Sequence, residues 1–158
     1  MKLPFLSILA TCVALIVGLP VQAERVAPGR PAVVVAGSNG GSVIEYARRA
    51  NIARATGATV QFRGRCQSAC TMYLSLPRAN TCIMPGASFT FHAAYGATSD
   101  MNRWATRYML DRYPSWVRAW ISANGGLSQR LLRMDYSYAS RFIPTCGGRR
   151  YASVDIRS

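Results

Sequence analysis

Apolar positions in this chain come in short runs broken by glycine-rich and polar turns, and only the N-terminal run is long. Residues 1–23 hold Lys2, an apolar stretch from Leu3 to Gly18, and then Val21-Gln22-Ala23, with small residues where a signal peptidase reads. That pattern predicts a cleavable secretory signal peptide rather than a spanning helix. Residues 24–158 then form the mature chain, about 135 residues and enough for a single domain with its own core.

Beyond the leader, Ala32 to Ala36 is a continuous apolar run that reads as a buried strand and ends in Gly37-Ser38-Asn39-Gly40-Gly41. Ser42, with Glu45 three residues on, has capping-box spacing and predicts a helix to about Ala55, before Gly57. Ala58 to Phe62 reads as a second strand, Ala69 to Leu76 as a short helix, and Thr81 to Met84 and Ser88 to His92 as two strands around Pro85-Gly86. From Ser99 the pattern turns helical. Ser99 is placed to cap a helix carrying Trp104, Tyr108 and an Arg107–Asp111 surface pair, and Pro114 opens a second with Trp116, Val117, Trp120 and Ile121. The three tryptophans read as core or packing surface. After Gly125-Gly126, Leu127 to about Tyr138 predicts a third helix with Leu131 and Leu132 inward. The order implies an α/β fold: a mainly parallel sheet flanked by helices, with a helical C-terminal part.

Charge and cysteine content narrow the setting. The formal net charge is +13, and once Lys2 leaves with the leader every cation is an arginine. Guanidinium groups suit carboxylate and phosphate, so the surface fits an anionic partner such as an envelope component. The arginines are scattered, and no dense basic run or recognisable module points to nucleic acid. No later segment is apolar enough to span a bilayer, which gives a periplasmic or secreted protein. Cys66, Cys70, Cys82 and Cys146 remain after processing, an even number that predicts two disulfides in an oxidising compartment. Three connectivities are open. The expected one joins Cys70 to Cys82, tying the short helix to the next strand, and Cys66 to Cys146, holding the C-terminal tail near it. The spacings lack a paired C-x2-C motif, so no metal is expected, and no cofactor motif is present.

The candidate chemistry lies in Arg65-Cys66-Gln67-Ser68-Ala69-Cys70 and in His92, the one histidine of the chain. A serine hydroxyl is a weak nucleophile until a base takes its proton, and imidazole does this near neutral pH. Gly40-Gly41 and Ser68-Ala69 both sit at predicted strand-to-helix junctions, where free N–H groups collect. The N–H groups of Gly41 and Ala69 therefore form a candidate oxyanion hole. Each residue also has a simpler role: Ser68 as a helix N-cap and His92 as a structural histidine.

Three segments in order, Ser38-Asn39-Gly40-Gly41-Ser42-Val43, Gly64-Arg65-Cys66-Gln67-Ser68-Ala69-Cys70 and Pro85-Gly86-Ala87-Ser88-Phe89-Thr90-Phe91-His92, resemble the landmarks of the Clp protease proteolytic subunit and its crotonase-like relatives. The similarity is greatest to exported, cysteine-containing Clp-like proteins, covers roughly residues 32–140, and departs from the peptidases at Asn39, where they have proline. It implies a layered Clp/crotonase-like fold and a serine hydrolase with Ser68 as nucleophile, His92 as base and Gly41 and Ala69 as oxyanion donors. It also implies a third residue after the long helix, for which Asp135 is the candidate. The substrate would be a peptide or ester. The competing expectations are a non-catalytic binding or adaptor protein holding an anionic partner through its arginines, and a subunit that self-associates through exposed aromatics.

Overall fold

The structure, a computed structural model, describes residues 31–147; the expected signal peptide lies outside them. The fold is α/β, with two small sheets where a single one was expected. In the first, β1 (Ala32–Val35), β2 (Thr59–Phe62) and β4 (Thr81–Ile83) run parallel in the order β1-β2-β4. In the second, β3 (Arg65–Gln67) pairs parallel with β5 (Ser88–Phe91), and β5 pairs antiparallel with β6 (Leu132–Met134).

The split follows from how the chain leaves each strand of the first sheet. After β2 it passes Arg63-Gly64 and enters β3; after β4 it turns at Pro85-Gly86 and enters β5. After β1 it makes one bridge, Ser38 to Cys66, before α1 (Val43–Ala55). Each turn of the chain thus contributes to the first sheet, then to the second, then forms a helix: α1, a 3₁₀ helix over Ser68–Ser75, and α2 (Ser99–Arg112). Phe62 on the first sheet meets Phe89 on the second edge-to-face at 4.8 Å, and both are fully buried. Burying side chains of this size stabilises by about 1.5–3 kcal/mol each, and it fixes one sheet against the other.

Local sequence explains most helix bounds. The Ser42 hydroxyl accepts from the Glu45 N–H, as its cap position predicts. The reciprocal half of the capping box does not form, because the Glu45 carboxylate is held by Arg48 and Arg49, which lower its pKa to about 2. Ala47, Ala50 and Ala53 make a small-residue face that lets α1 approach the 3₁₀ helix. Thr98, not Ser99, caps α2. Pro114 caps α3 (Ser115–Ala123), which buries Val117 and Ile121.

Two expectations are corrected. Leu127 to Tyr138 is not a helix: Leu132 and Met134 point inward on either side of exposed Arg133, a period of two, and pairing with β5 makes them a strand. Leu131 is exposed, and only Tyr136–Ala139 (α4) is helical. The disulfides are Cys66–Cys70 and Cys82–Cys146, not the crossed pairs. The reversal at Ser68 brings Cys66 and Cys70 to a Cα separation of 5.4 Å. The parallel bridge between Ile83 and Thr145 places Cys82 beside Cys146 at 4.8 Å. Two disulfides are consistent with an oxidising compartment. Among the described residues no helix is long and apolar enough to cross a membrane, and no group of three or more His, Cys, Asp or Glu is gathered to hold a metal.

This pairing has a direct readout. Trypsin applied without reductant should release peptide 66–78 with an internal disulfide and peptide 79–103 linked to 142–149; a link between 66–78 and either of the others would refute it. By chain entropy, the Cys82–Cys146 bridge, which closes 64 residues, should contribute about 4 kcal/mol and the four-residue Cys66–Cys70 bridge about 2. Replacing Cys82 and Cys146 by alanine should therefore lower Tm more than the same change at Cys66 and Cys70.

Candidate active site

Ser68 stands where β3 ends and the 3₁₀ helix begins, and it is the single non-glycine residue with positive φ (55°) among the described residues. The left-handed region costs an L-residue about 1–2 kcal/mol, so something must hold it there. Three features do. β3 is paired to β5 through Gln67 and Thr90, the Cys66–Cys70 disulfide spans the reversal, and the Thr71 hydroxyl donates to the Ser68 carbonyl at 2.6 Å. Thr71 has only one proton to give, so its 2.5 Å contact with Tyr113 is one in which the phenol donates. Burial pushes the Tyr113 pKa up, which keeps that donor protonated.

The glycine loop is clamped against this turn. Ser38 N–H donates to the Arg65 carbonyl at 2.8 Å, and Gln67 N–H donates to the Ser38 carbonyl at 2.9 Å. Gly40 (φ 89°) lies so close that a Cβ there would sit 2.6 Å from the Gln67 oxygen and 2.7 Å from Ser68 Cβ. That point is also 3.0 Å from the Ala69 nitrogen, so the Ala69 backbone lies against Gly40; Ala69 itself is buried and does not line the pocket. Ser38 Oγ accepts from Gly40 N–H, whereas Gly41 N–H donates to no group among the described residues.

His92 follows β5 directly and is 3% exposed. Its Nδ1 lies 2.7 Å from the Ala93 carbonyl, an acceptor only, so Nδ1 carries the proton and Nε2 presents its lone pair. Nε2 bonds to no group among the described residues. Tyr95 covers one side of the imidazole at a ring distance of 5.3 Å and is itself 68% exposed.

These residues share one pocket of about 290 Å³, lined by Asn39, Gly40, Gly41, Ser68, His92, Ala94 and Tyr95. Ser68 and His92 are brought together there without a hydrogen bond between them. Such contacts are often long in a site without substrate. No protein-family model matches the chain, and a search of curated proteins returns no match.

Asp135 does not join the site. The antiparallel register sets Phe91 opposite Leu132 and Phe89 opposite Met134, so Asp135 falls beside Ser88, at the end of β5 farthest from His92. Four residues of strand amount to about 13 Å. Its carboxylate instead caps α4, accepting from Tyr138 N–H and the Ser137 hydroxyl, and these bonds hold its pKa below the usual range. Residues missed by sequence reasoning are Thr71 and Tyr113, which brace Ser68, and Tyr95 and the Ala93 carbonyl, which set His92. Proximity to His92 was the only signal for the last two; 42 positions separate Thr71 from Tyr113, and no local pattern reports that contact.

Asp135→Asn should leave the reactivity of Ser68 toward a covalent serine probe unchanged, since asparagine can also cap a helix. A loss of reactivity in a variant that folds normally would restore Asp135 to the site. Thr71→Val should slow the same labelling and lower stability by about 1–3 kcal/mol, because it strands the buried Tyr113 hydroxyl. Denaturant titration and labelling rates measure the two effects separately.

Proposed function

We propose that this protein is an exported serine hydrolase of the Clp/crotonase-like type, acting on peptide or ester bonds through Ser68 and His92. One observation carries the reading: a serine held in the left-handed region at a strand-to-helix turn shares a small pocket with His92, whose ring is oriented by the Nδ1 contact to the Ala93 carbonyl. Strain of this kind concentrates where a side chain must be presented. The repeated order of strand, strand and helix supports the resemblance drawn from the three sequence landmarks.

In the proposed reaction Ser68 Oγ attacks the substrate carbonyl carbon as its proton passes to His92 Nε2. The carbonyl oxygen takes up the negative charge and is received by the N–H of Gly41, which lines the pocket; the Ala69 N–H adds to it only if the buried start of the 3₁₀ helix shifts toward the pocket. Collapse breaks the bond to the leaving group, which departs with the proton from His92 and leaves an acyl-serine. Water, deprotonated by His92, then attacks the acyl carbon and releases the acid and free Ser68. The Ala93 carbonyl takes the orienting role that a carboxylate has in a triad.

The second reading, a non-catalytic binding scaffold, is favoured by the absence of a Ser68–His92 hydrogen bond and by the carbonyl, rather than a carboxylate, at His92 Nδ1. Covalent labelling separates the two. A fluorophosphonate loses fluoride to an activated serine, so the oxidised protein should be labelled at Ser68, and Ser68→Ala should abolish the adduct. His92→Ala should slow labelling by about 10²-fold or more. A folded, oxidised protein that stays unlabelled supports the scaffold.

A further inference from the structure

Beside the site pocket lies a second cleft of about 450 Å³, and Ala94 borders both. Its floor is the segment leaving His92, and its far wall is α2, which presents Asn102, Arg103, Thr106 and Arg107. The wall is fixed to the floor: Ala94 N–H donates to Thr106 Oγ1 at 2.9 Å, and Thr106 in turn donates to the Asn102 carbonyl. Neither cleft can therefore shift far relative to the other.

The charges of this cleft are unevenly satisfied. Arg103 is paired with Asp100 one turn away. Arg107 makes no ion pair or hydrogen bond among the described residues, and the pair expected with Asp111 does not form. The other carboxylates among the described residues are engaged elsewhere, Glu45 by Arg48 and Arg49 and Asp135 by its helix cap. Asn102 has its amide committed to Ala97 on both sides. What the cleft offers a ligand is a free guanidinium fork on a fixed, otherwise neutral wall.

We infer that this cleft is a substrate subsite for a carboxylate, with Arg107 as its specificity-determining residue; the inference rests on the hydrolase reading above. A guanidinium binds a carboxylate in bidentate fashion, which a lysine or an amide cannot reproduce. Ala94 stands two residues from His92, about 7 Å of extended chain. The preferred substrate is therefore an acidic peptide, or an ester with a carboxylate side group, whose negative charge falls one or two residues from the bond that is cut.

The test uses two fluorophosphonates of equal length, one ending in a carboxylate and the other in a carboxamide, on the oxidised wild-type protein. Ser68 should react about tenfold faster with the carboxylate probe at low salt, and the advantage should shrink in 1 M salt, where the Debye length is about 3 Å. Arg107→Gln should bring the ratio of the two rates to near unity, Arg107→Lys should keep part of it, and Arg112→Gln, on the same helix but outside the cleft, should keep it all. Because the readout is a ratio, a general loss of reactivity does not mimic the result. Equal rates in the wild type, or a preference that survives Arg107→Gln, would overturn the subsite while leaving the hydrolase reading intact. If neither probe labels the folded protein, both fall together.

Discussion

The site depends on one backbone seam, where the loop after β1 lies against the start of β3. Val35 O receives N–H groups from both Arg63 and Gly64, and Ser38 bonds on one side to Arg65 and on the other to Gln67. The approach is so close that a Cβ on Gly64 would lie 1.8 Å from the Ala36 oxygen, so only glycine fits. Because of this contact the chain can cross from the first sheet to the second directly beside the glycine loop. Gly40 then rests against Ser68 with no side chain between them. The same seam thus builds the fold and sets the spacing of the pocket.

Magnitudes show why the strained serine persists. The left-handed turn costs roughly 1–2 kcal/mol, whereas Phe62, Phe89 and Phe91, buried around the ends of the paired strands, each contribute about 1.5–3 kcal/mol. Relaxing Ser68 would pull β3 out of register with β5 and expose part of that surface. Tyr113 adds to the constraint from the other side, since its ring packs edge-on against Phe91 at 5.6 Å while its hydroxyl bonds Thr71. Packing therefore connects α2's C-terminal end to the carbonyl of the candidate nucleophile.

Much of this was legible in the sequence because it is local. The apolar run before Gly37, the Ser42 cap, Pro114 before α3 and the Pro85-Gly86 turn each act within a few residues, and each marks the element it predicts. Apart from the one-residue shift of the α2 cap, the misreadings required knowledge of what lies across space. Leu131, Leu132 and Met134 match a helical stripe as readily as a strand, and the free edge of β5 decides between them. The disulfides follow the reversal at Ser68 and the return of the C-terminal segment to Ile83, neither of which spacing reveals. Asp135 was the candidate for the third residue that the resemblance implies, but antiparallel pairing sets it at the end of β5 farthest from His92. Of the candidate site, Ser68, His92 and the glycines could be named, while their braces could not.

In the proposed hydrolase a carbonyl stands at His92 where a triad has a carboxylate, which separates two tasks that a triad combines. A carbonyl fixes the tautomer and the ring's direction, because it can only accept the Nδ1 proton. It brings no full negative charge to stabilise the imidazolium that forms as Ser68 attacks, a stabilisation the carboxylate provides in a triad. The burden then shifts to the oxyanion donors and to binding energy away from the reacting bond, which can be used to position a substrate. Esters, with better leaving groups, make smaller demands on such a site than amides do. An arginine cleft next to it would supply part of the missing binding energy through a charge on the substrate rather than through a charge on the enzyme.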